Sequence, residues 1–161
     1  MTSWWRRQRV ALIALAVAVA AVIGVHVWFD VLPGSDEPRV IEAQERSAVI
    51  AGQNLTVDSA RWSEFEAPSG SRTLSIRVDS DGGPDATTCG LFTLAEAQGD
   101  RVWANARSAL DVPYEAGESY CLEESGPYAI LAVFLLPDDA GGPFLLDIPG
   151  DDEIARFVVE P

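Results

Sequence analysis

Hydrophobic and polar residues follow two different patterns in this chain. In residues 10–29, twenty consecutive positions carry no Asp, Glu, Lys or Arg. In residues 39–161, short apolar stretches alternate with polar residues and are separated by turn-forming Gly, Pro, Asn and Asp. The first pattern predicts a transmembrane helix, because twenty helical residues span about 30 Å, the thickness of the hydrocarbon core of a bilayer. The second pattern predicts short β-strands.

The flanks of the apolar run predict its orientation. Residues 1–9 contain three arginines, whereas residues 30–38 contain three acidic residues, two prolines and a glycine. Since arginine-rich flanks stay in the cytoplasm, we expect a single-pass cell-membrane protein with a cytoplasmic N-terminus, a linker over 30–38 and an extracytoplasmic remainder. The alternative is a signal peptide cleaved at Ala18-Val19-Ala20, although the run is longer than the roughly 7–15 residues of an ordinary signal-peptide core.

The extracytoplasmic part predicts one domain of about seven strands. Residues 39–51 favour an extended segment before the turn at Gly52, and residues 98–100 suit a hairpin connection. The other strands are expected at residues 54–62, 73–79, 89–97, 101–107, 128–136, 144–148 and 154–159. Short strands at regular intervals, without helical periodicity, predict an all-β fold. We expect an antiparallel, immunoglobulin-like β-sandwich over 39–161, with a small barrel as the alternative.

In two of these segments, the residue pattern also predicts which faces of the strand are buried. In residues 73–79, Leu74, Ile76 and Val78 alternate with polar residues, which predicts one packed face and one face in water. Residues 128–136 are almost wholly apolar, as in a strand that is buried on both faces. We therefore expect residues 128–136 at the centre of a sheet.

The charge of the predicted exported part excludes one class of partner. After residue 29 the chain has eight arginines, no lysine and 25 acidic residues, a formal charge of −17. Such a surface repels nucleic acids and anionic lipid headgroups, and it favours cations or basic partners. We therefore expect no nucleic-acid binding, a contact with membrane lipid through residues 10–29, and a protein or another envelope component as the partner of the domain.

The two cysteines predict a disulfide. Cys89 and Cys121 both lie in the predicted extracytoplasmic part, where oxidising conditions allow disulfides to form and persist. The alternative is a pair of buried free thiols. A metal site built on these cysteines is disfavoured, because neither has a second Cys or a His at ligand spacing.

The ionisable residues give no support for catalysis. The single histidine, His26, lies in the apolar run, so the exported domain has neither imidazole nor lysine to act as a general base. We expect no enzyme activity, no catalytic residue and no cofactor. Asp79, Asp81 and Asp85 partly resemble a calcium loop around two glycines, but acidic ligands are missing at the fifth and twelfth loop positions. A solvated turn is the alternative for this stretch.

Three aromatic residues are further candidates for binding. Trp62, Phe65 and Trp103 lie in predicted strands or at their ends, where an outward-facing ring can anchor a partner. Core packing is the interpretation that we favour for all three. Because a sandwich of this class commonly buries a tryptophan beside its disulfide, we expect Trp103 in that position.

Several segments resemble a known family. Residues 52–57, the strand at 73–79, the strand-turn-strand at 94–102 and the segment 133–148 resemble the telokin-like, immunoglobulin-like exported domains of unknown function in bacterial membrane-anchored proteins and lipoproteins. The resemblance implies the fold and an extracytoplasmic location, and it supplies no active-site residues. The chain lacks the cysteine to which a lipoprotein attaches its lipid.

Pattern, charge and resemblance together predict a function class. We expect a membrane-anchored, non-catalytic binding or accessory domain. The alternative is a calcium-dependent sensor or scaffold module of the cell envelope that uses Asp79, Asp81 and Asp85.

Overall fold

The computed structural model describes residues 2–26 and 38–161. The chain divides into two compact units. The first unit contains helix α1, Thr2–His26. The second unit is a β domain over Pro38–Pro161.

Helix α1 covers most of the predicted transmembrane run. Residues 11–25 are all exposed. Within the part of the chain that the structure describes, no helix is both long enough and apolar enough to cross a bilayer. The last three residues of the predicted span 10–29, and the predicted linker 30–38 apart from Pro38, lie outside the described residues. The membrane anchor therefore stays a prediction.

The β domain is built from nine strands in two sheets. The strands are β1 (Arg39–Glu42), β2 (Ser47–Ile50), β3 (Gln53–Trp62), β4 (Ser71–Gly82), β5 (Thr93–Glu96), β6 (Val102–Ala104), β7 (Gly126–Pro137), β8 (Phe144–Pro149) and β9 (Glu153–Val159). One sheet has the order β1-β9-β8-β5-β6, and the other has the order β2-β3-β4-β7. All pairings are antiparallel except that of β1 with β9. The predicted all-β fold is confirmed, with two more strands than expected.

The core lies between the inward faces of the two sheets. Alternating positions of β3, near its start, and of β8 are buried, as the period of two along a β-strand requires. The largest fully buried side chains come from both sheets and the loops beside them: Leu55, Leu74, Ile76, Ile130, Phe134, Leu136, Phe92, Leu94, Phe144, Leu146 and Phe157. Burial of this apolar surface is the main force that holds the sheets together.

The second face of β4 differs from the prediction. Thr73 and Ser75 were expected in water and are fully buried. The connection after β3 folds over them: the Thr73 hydroxyl donates to the Phe65 carbonyl at 2.8 Å and accepts from the Phe65 N–H at 3.3 Å. The prediction of a solvated face is therefore wrong at these two positions, since the alternation of residues does not reveal what a later loop covers. Asp79 is exposed as predicted.

Strand β7 is also placed differently from the prediction. Residues 130–134 are all fully buried, yet β7 lies at the edge of its sheet and not at the centre. The chain before it covers this edge, with bonds from the N–H of Ala106 to the Val133 carbonyl and from the N–H of Glu118 to the Ala129 carbonyl. A covered edge strand buries as much apolar surface as a central one, so composition alone does not separate the two.

Three of the predicted strand segments divide or become shorter in the structure. Residues 39–51 form two strands, because the chain turns between them with positive φ at Glu45 and Arg46. The predicted strands 89–97 and 101–107 shorten to β5 and β6. The hairpin connection at 98–100 is confirmed, since β5 and β6 pair antiparallel.

Candidate binding surface

The connection between β6 and β7 is the longest irregular segment of the β domain. It covers residues 105–125 and is called the 105–125 loop below. It contains two short 3₁₀ turns, Arg107–Ala109 and Tyr114–Ala116. Long loops without strands or helices of their own are uncommon in small domains and often carry function. What fixes the shape of this loop is therefore the first question about the site.

The buried side chain of Arg107 organises the loop. Its Nη1 donates to the Glu118 carbonyl at 2.8 Å and to the Leu131 carbonyl at 3.4 Å. Its Nη2 donates to the carbonyls of Pro113 and Tyr114 at 3.2 and 3.3 Å. A buried guanidinium is tolerated only where its donors are satisfied, and here backbone carbonyls perform that role. Arg107 thereby joins two distant parts of the loop to β7.

A disulfide holds the C-terminal part of the loop. Cys121, which is fully buried, is bonded to Cys89 in the segment before β5, with the two Cα atoms 5.2 Å apart. This is the pairing that the sequence predicts. The bond connects the loop to the connection between β4 and β5, whereas Arg107 connects it to β7.

A buried glutamine supports both sides of the disulfide. The Nε2 of Gln53, on β3, donates to the Thr87 carbonyl at 2.6 Å and to the Leu122 carbonyl at 3.0 Å. Its Oε1 accepts hydrogen bonds from the hydroxyls of Ser80 and Tyr128. The carbonyls bound by Gln53 lie two residues before one cysteine and one residue after the other. The amide therefore holds the chain around the disulfide against β3.

The outer side of this region carries exposed apolar side chains. Leu91, Tyr114 and Tyr120 are 83%, 80% and 52% exposed. We call these three side chains the tyrosine surface. They border a cavity of about 360 Å³ whose other lining residues are Asn105, Arg107, Ser108, Val112 and Ser119. Two large aromatic rings are thus held in solvent by a loop that is fixed from below.

The loop that carries Tyr114 and Tyr120 is strongly acidic. The 105–125 loop contains five acidic residues, at positions 111, 115, 118, 123 and 124. Four are exposed, and Glu118 is half-buried. The only basic residue of the loop is Arg107, whose guanidinium is buried and bonded to carbonyls. The surface therefore combines aromatic rings with a negative potential.

The aspartates that the sequence suggested for calcium do not form a loop. Asp79 and Asp81 lie in β4, opposite Thr56 and Asn54 of β3, and only Asp85 lies in the connection that follows. Residues 2–26 and 38–161 contain no group of three or more His, Cys, Asp or Glu side chains arranged to hold a metal. The turn that the sequence suggested over all three aspartates therefore begins only after Asp81.

The two tryptophan candidates pack within the domain. Trp62 and Trp103 each meet the ring of Phe144 edge to face, with centroids 5.8 and 6.0 Å apart. Both tryptophans and Phe65 are half-buried. Trp103, expected buried beside the disulfide, packs against the core but is only half-buried, because β6 is the edge strand of its sheet.

A second cavity lies beside Trp62. The guanidinium of Arg72 stacks on the Trp62 ring at 3.7 Å and donates to the Ala140 carbonyl. These two side chains line a cavity of about 380 Å³ together with Glu160 and Pro143. Because the Trp62 face is already covered by Arg72, little aromatic surface remains there for a partner.

The sequence did not indicate the residues that form the tyrosine surface. Leu91, Tyr114 and Tyr120 lie in irregular segments, where no period marks which side chain faces out. Gln53 did carry a signal, since it precedes Leu55 and Val57 at the inward-facing spacing of β3. Arg107 was expected in a strand, and no signal in the sequence indicated its role. No family model, curated protein or solved structure matches this chain, so the candidate surface rests on geometry alone.

Proposed function

We propose that this chain is a membrane-anchored binding or accessory protein that presents its β domain outside the cytoplasm and acts without catalysis. The observation that carries the proposal is the exposure of Tyr114 and Tyr120 on a loop that Arg107 and the disulfide hold in place, beside the exposed Leu91 of the segment before β5. Tyrosine is enriched in binding hot spots, because its ring supplies contact area and its hydroxyl a hydrogen bond. A preorganised surface also loses less conformational entropy on binding.

The location is supported by the sequence. The apolar run 10–29 follows three arginines and precedes three acidic residues, the charge distribution of an anchor with a cytoplasmic N-terminus. A disulfide in the β domain agrees with an oxidising compartment. A reporter that is active only outside the cytoplasm, fused after Pro161, should be active, and deletion of residues 10–29 should abolish that activity. An inactive reporter on the intact chain would contradict the location.

The binding role is tested by photo-cross-linking in intact cells. The full-length chain would carry benzoylphenylalanine at Tyr114 or Tyr120, and we expect an adduct of defined mass after irradiation from both positions. The matched control is Val49, which is 63% exposed on β2 and lies outside the loop. Cross-linking at Val49 should give no such adduct. Equal adducts from all three positions, or none from the tyrosines, would refute binding at this surface.

A further inference from the structure

We propose that the partner of the tyrosine surface is a protein segment that places a lysine or arginine beside an apolar side chain. This inference rests on the proposed function, because it names the chemistry of the partner that binds there. It depends on three features of the described residues: the charge of the loop, the size of the cavity and the ion pairs that arginines already form within the β domain.

The negative charge of the loop favours a partner that carries a cationic group. Its five acidic residues face only one basic residue, and that residue is buried and bonded to four carbonyls. Glu115 directly follows Tyr114 in the chain, and both residues are exposed. A cation over a tyrosine ring is attracted by the ring, and a neighbouring carboxylate adds to that attraction.

The cavity selects a small apolar group. Its volume of about 360 Å³ lies at the lower end of the range of about 300–1,000 Å³ that small-molecule sites occupy. One or two aliphatic or aromatic side chains fit such a volume, with Leu91 and Val112 as apolar contacts. A free metal ion has no group to fill it. A peptide segment supplies both the cation and the apolar side chain.

A second copy of this chain is disfavoured as the partner. The chain has a formal charge of −14 and no lysine, so two copies repel each other. Several of its arginines are already bonded to carboxylates within the β domain, including Arg77 to Glu64, Arg101 to Glu96 and Arg156 to Asp147. We therefore expect the cation to come from a different protein.

A phage-displayed library of random dodecapeptides is the probe. The full-length chain in detergent micelles would be panned after depletion of the library on the Tyr114→Ser/Tyr120→Ser variant, so that only peptides dependent on the tyrosine surface remain. We expect at least about a twofold enrichment of Lys plus Arg over the unselected library, next to Leu, Met or aromatic residues. Tyrosine-dependent peptides without excess Lys or Arg would overturn this inference and leave the proposed function intact. No tyrosine-dependent peptide at all would overturn both.

Charge variants test the acidic residues directly with the strongest selected peptide. Asp111→Asn/Glu115→Gln/Glu118→Gln should weaken its binding by about tenfold or more. The matched control, Asp100→Asn/Asp151→Asn/Asp152→Asn, changes the net charge equally at exposed positions outside the loop and should change affinity by less than about twofold. Unchanged binding by the loop variant, or equal weakening in both variants, would overturn the inference. An unchanged melting temperature shows that each variant is folded.

Discussion

The β4–β7 pair and the 105–125 loop achieve order in different ways. β4 and β7 pair in continuous register from Ser71 opposite Pro137 to Gly82 opposite Gly126. The loop has no such ladder, and its shape depends on Arg107, the disulfide and a few backbone bonds to β7. Order in the strands is therefore distributed over many equivalent contacts, whereas order in the loop is concentrated in a few. A single substitution should release the loop while the sheets remain folded.

This difference has a functional consequence. A surface built on the strands would be rigid at every position, but its side chains would alternate between core and solvent. The loop is free of that alternation and presents Tyr114 and Tyr120 on the same side as Leu91. Arg107 and the disulfide hold the loop and provide the rigidity that a binding surface needs. Removal of those anchors should therefore abolish binding before it abolishes folding.

The largest effect is expected from the strands. Phe134→Ala removes a fully buried ring from β7 and should lower the free energy of unfolding by about 3–5 kcal/mol, because a cavity replaces the ring. Urea denaturation measures the loss, which should appear equally in all regions of the β domain. Leu91→Ala, at an 83% exposed position, is the control and should stay within about 0.5 kcal/mol. If Phe134→Ala destabilised only β7 and its neighbours, the contrast between the strands and the loop would be wrong.

The second-largest loss of stability is expected from removal of the disulfide. Cys89→Ser/Cys121→Ser opens a crosslink across 32 residues of sequence and should lower the free energy of unfolding by about 3–4 kcal/mol in the chain-entropy model. Hydrogen exchange followed by mass spectrometry should show faster exchange in the 105–125 loop than in β4. If exchange rises uniformly, the disulfide belongs to the sheets and not to the loop.

Arg107 gives the sharpest test of the loop. Arg107→Met removes one donor from each of four carbonyls, of which those of Pro113 and Glu118 keep a backbone N–H donor, and should lower the free energy of unfolding by about 2–3 kcal/mol. Limited proteolysis should cut within the loop at protease concentrations that leave the unsubstituted chain intact. Arg39→Met, at an exposed ion pair with Glu153, is the control and should change little. Resistance of the Arg107 variant to proteolysis would show that the loop does not depend on this side chain.

The smallest effect concerns an ion pair beside β4. The hydrogen bond from Arg77 lowers the pKa of Glu64 below its ordinary value of 4.5, so the pair stabilises the fold above that pH and loses its effect as pH falls below it. Glu64→Gln should cost less than about 1 kcal/mol at pH 7 and less again at pH 3, because a falling pH protonates the carboxyl and removes its charge. Urea denaturation at the two pH values measures this, with Glu66→Gln as the control. An equal cost at both pH values would contradict the assignment.

Much of the strand pattern was predictable from the sequence. The alternation over residues 73–79 placed Leu74, Ile76 and Val78 in the core, and the polar residues 98–100 indicated the hairpin between β5 and β6. These signals are local, since side chains of a strand alternate with a period of two whatever its partners are. The partners themselves were not predictable. β7 lies at an edge, and its apolar composition reflects the loop that covers it.

The candidate surface was far less predictable than the strands. Trp62, Phe65 and Trp103 were the aromatic candidates, yet all three are half-buried and the two tryptophans pack on Phe144. Tyr114 and Tyr120 carry the exposed rings, and nothing in their neighbours along the chain marks them. Exposure in an irregular loop depends on contacts with residues far away in sequence, such as Arg107 with Leu131.

The amino-acid sequence by itself determined that residues 39–161 form strands, that Cys89 and Cys121 are the available disulfide partners, and that the chain is strongly acidic. Each of these follows from composition or from a short period. Only the tertiary structure decided that the 105–125 loop covers the edge of β7, that Gln53 and Arg107 hold it, and that its tyrosines face solvent. The physical reason is that these contacts join residues distant in sequence, where no local pattern constrains them.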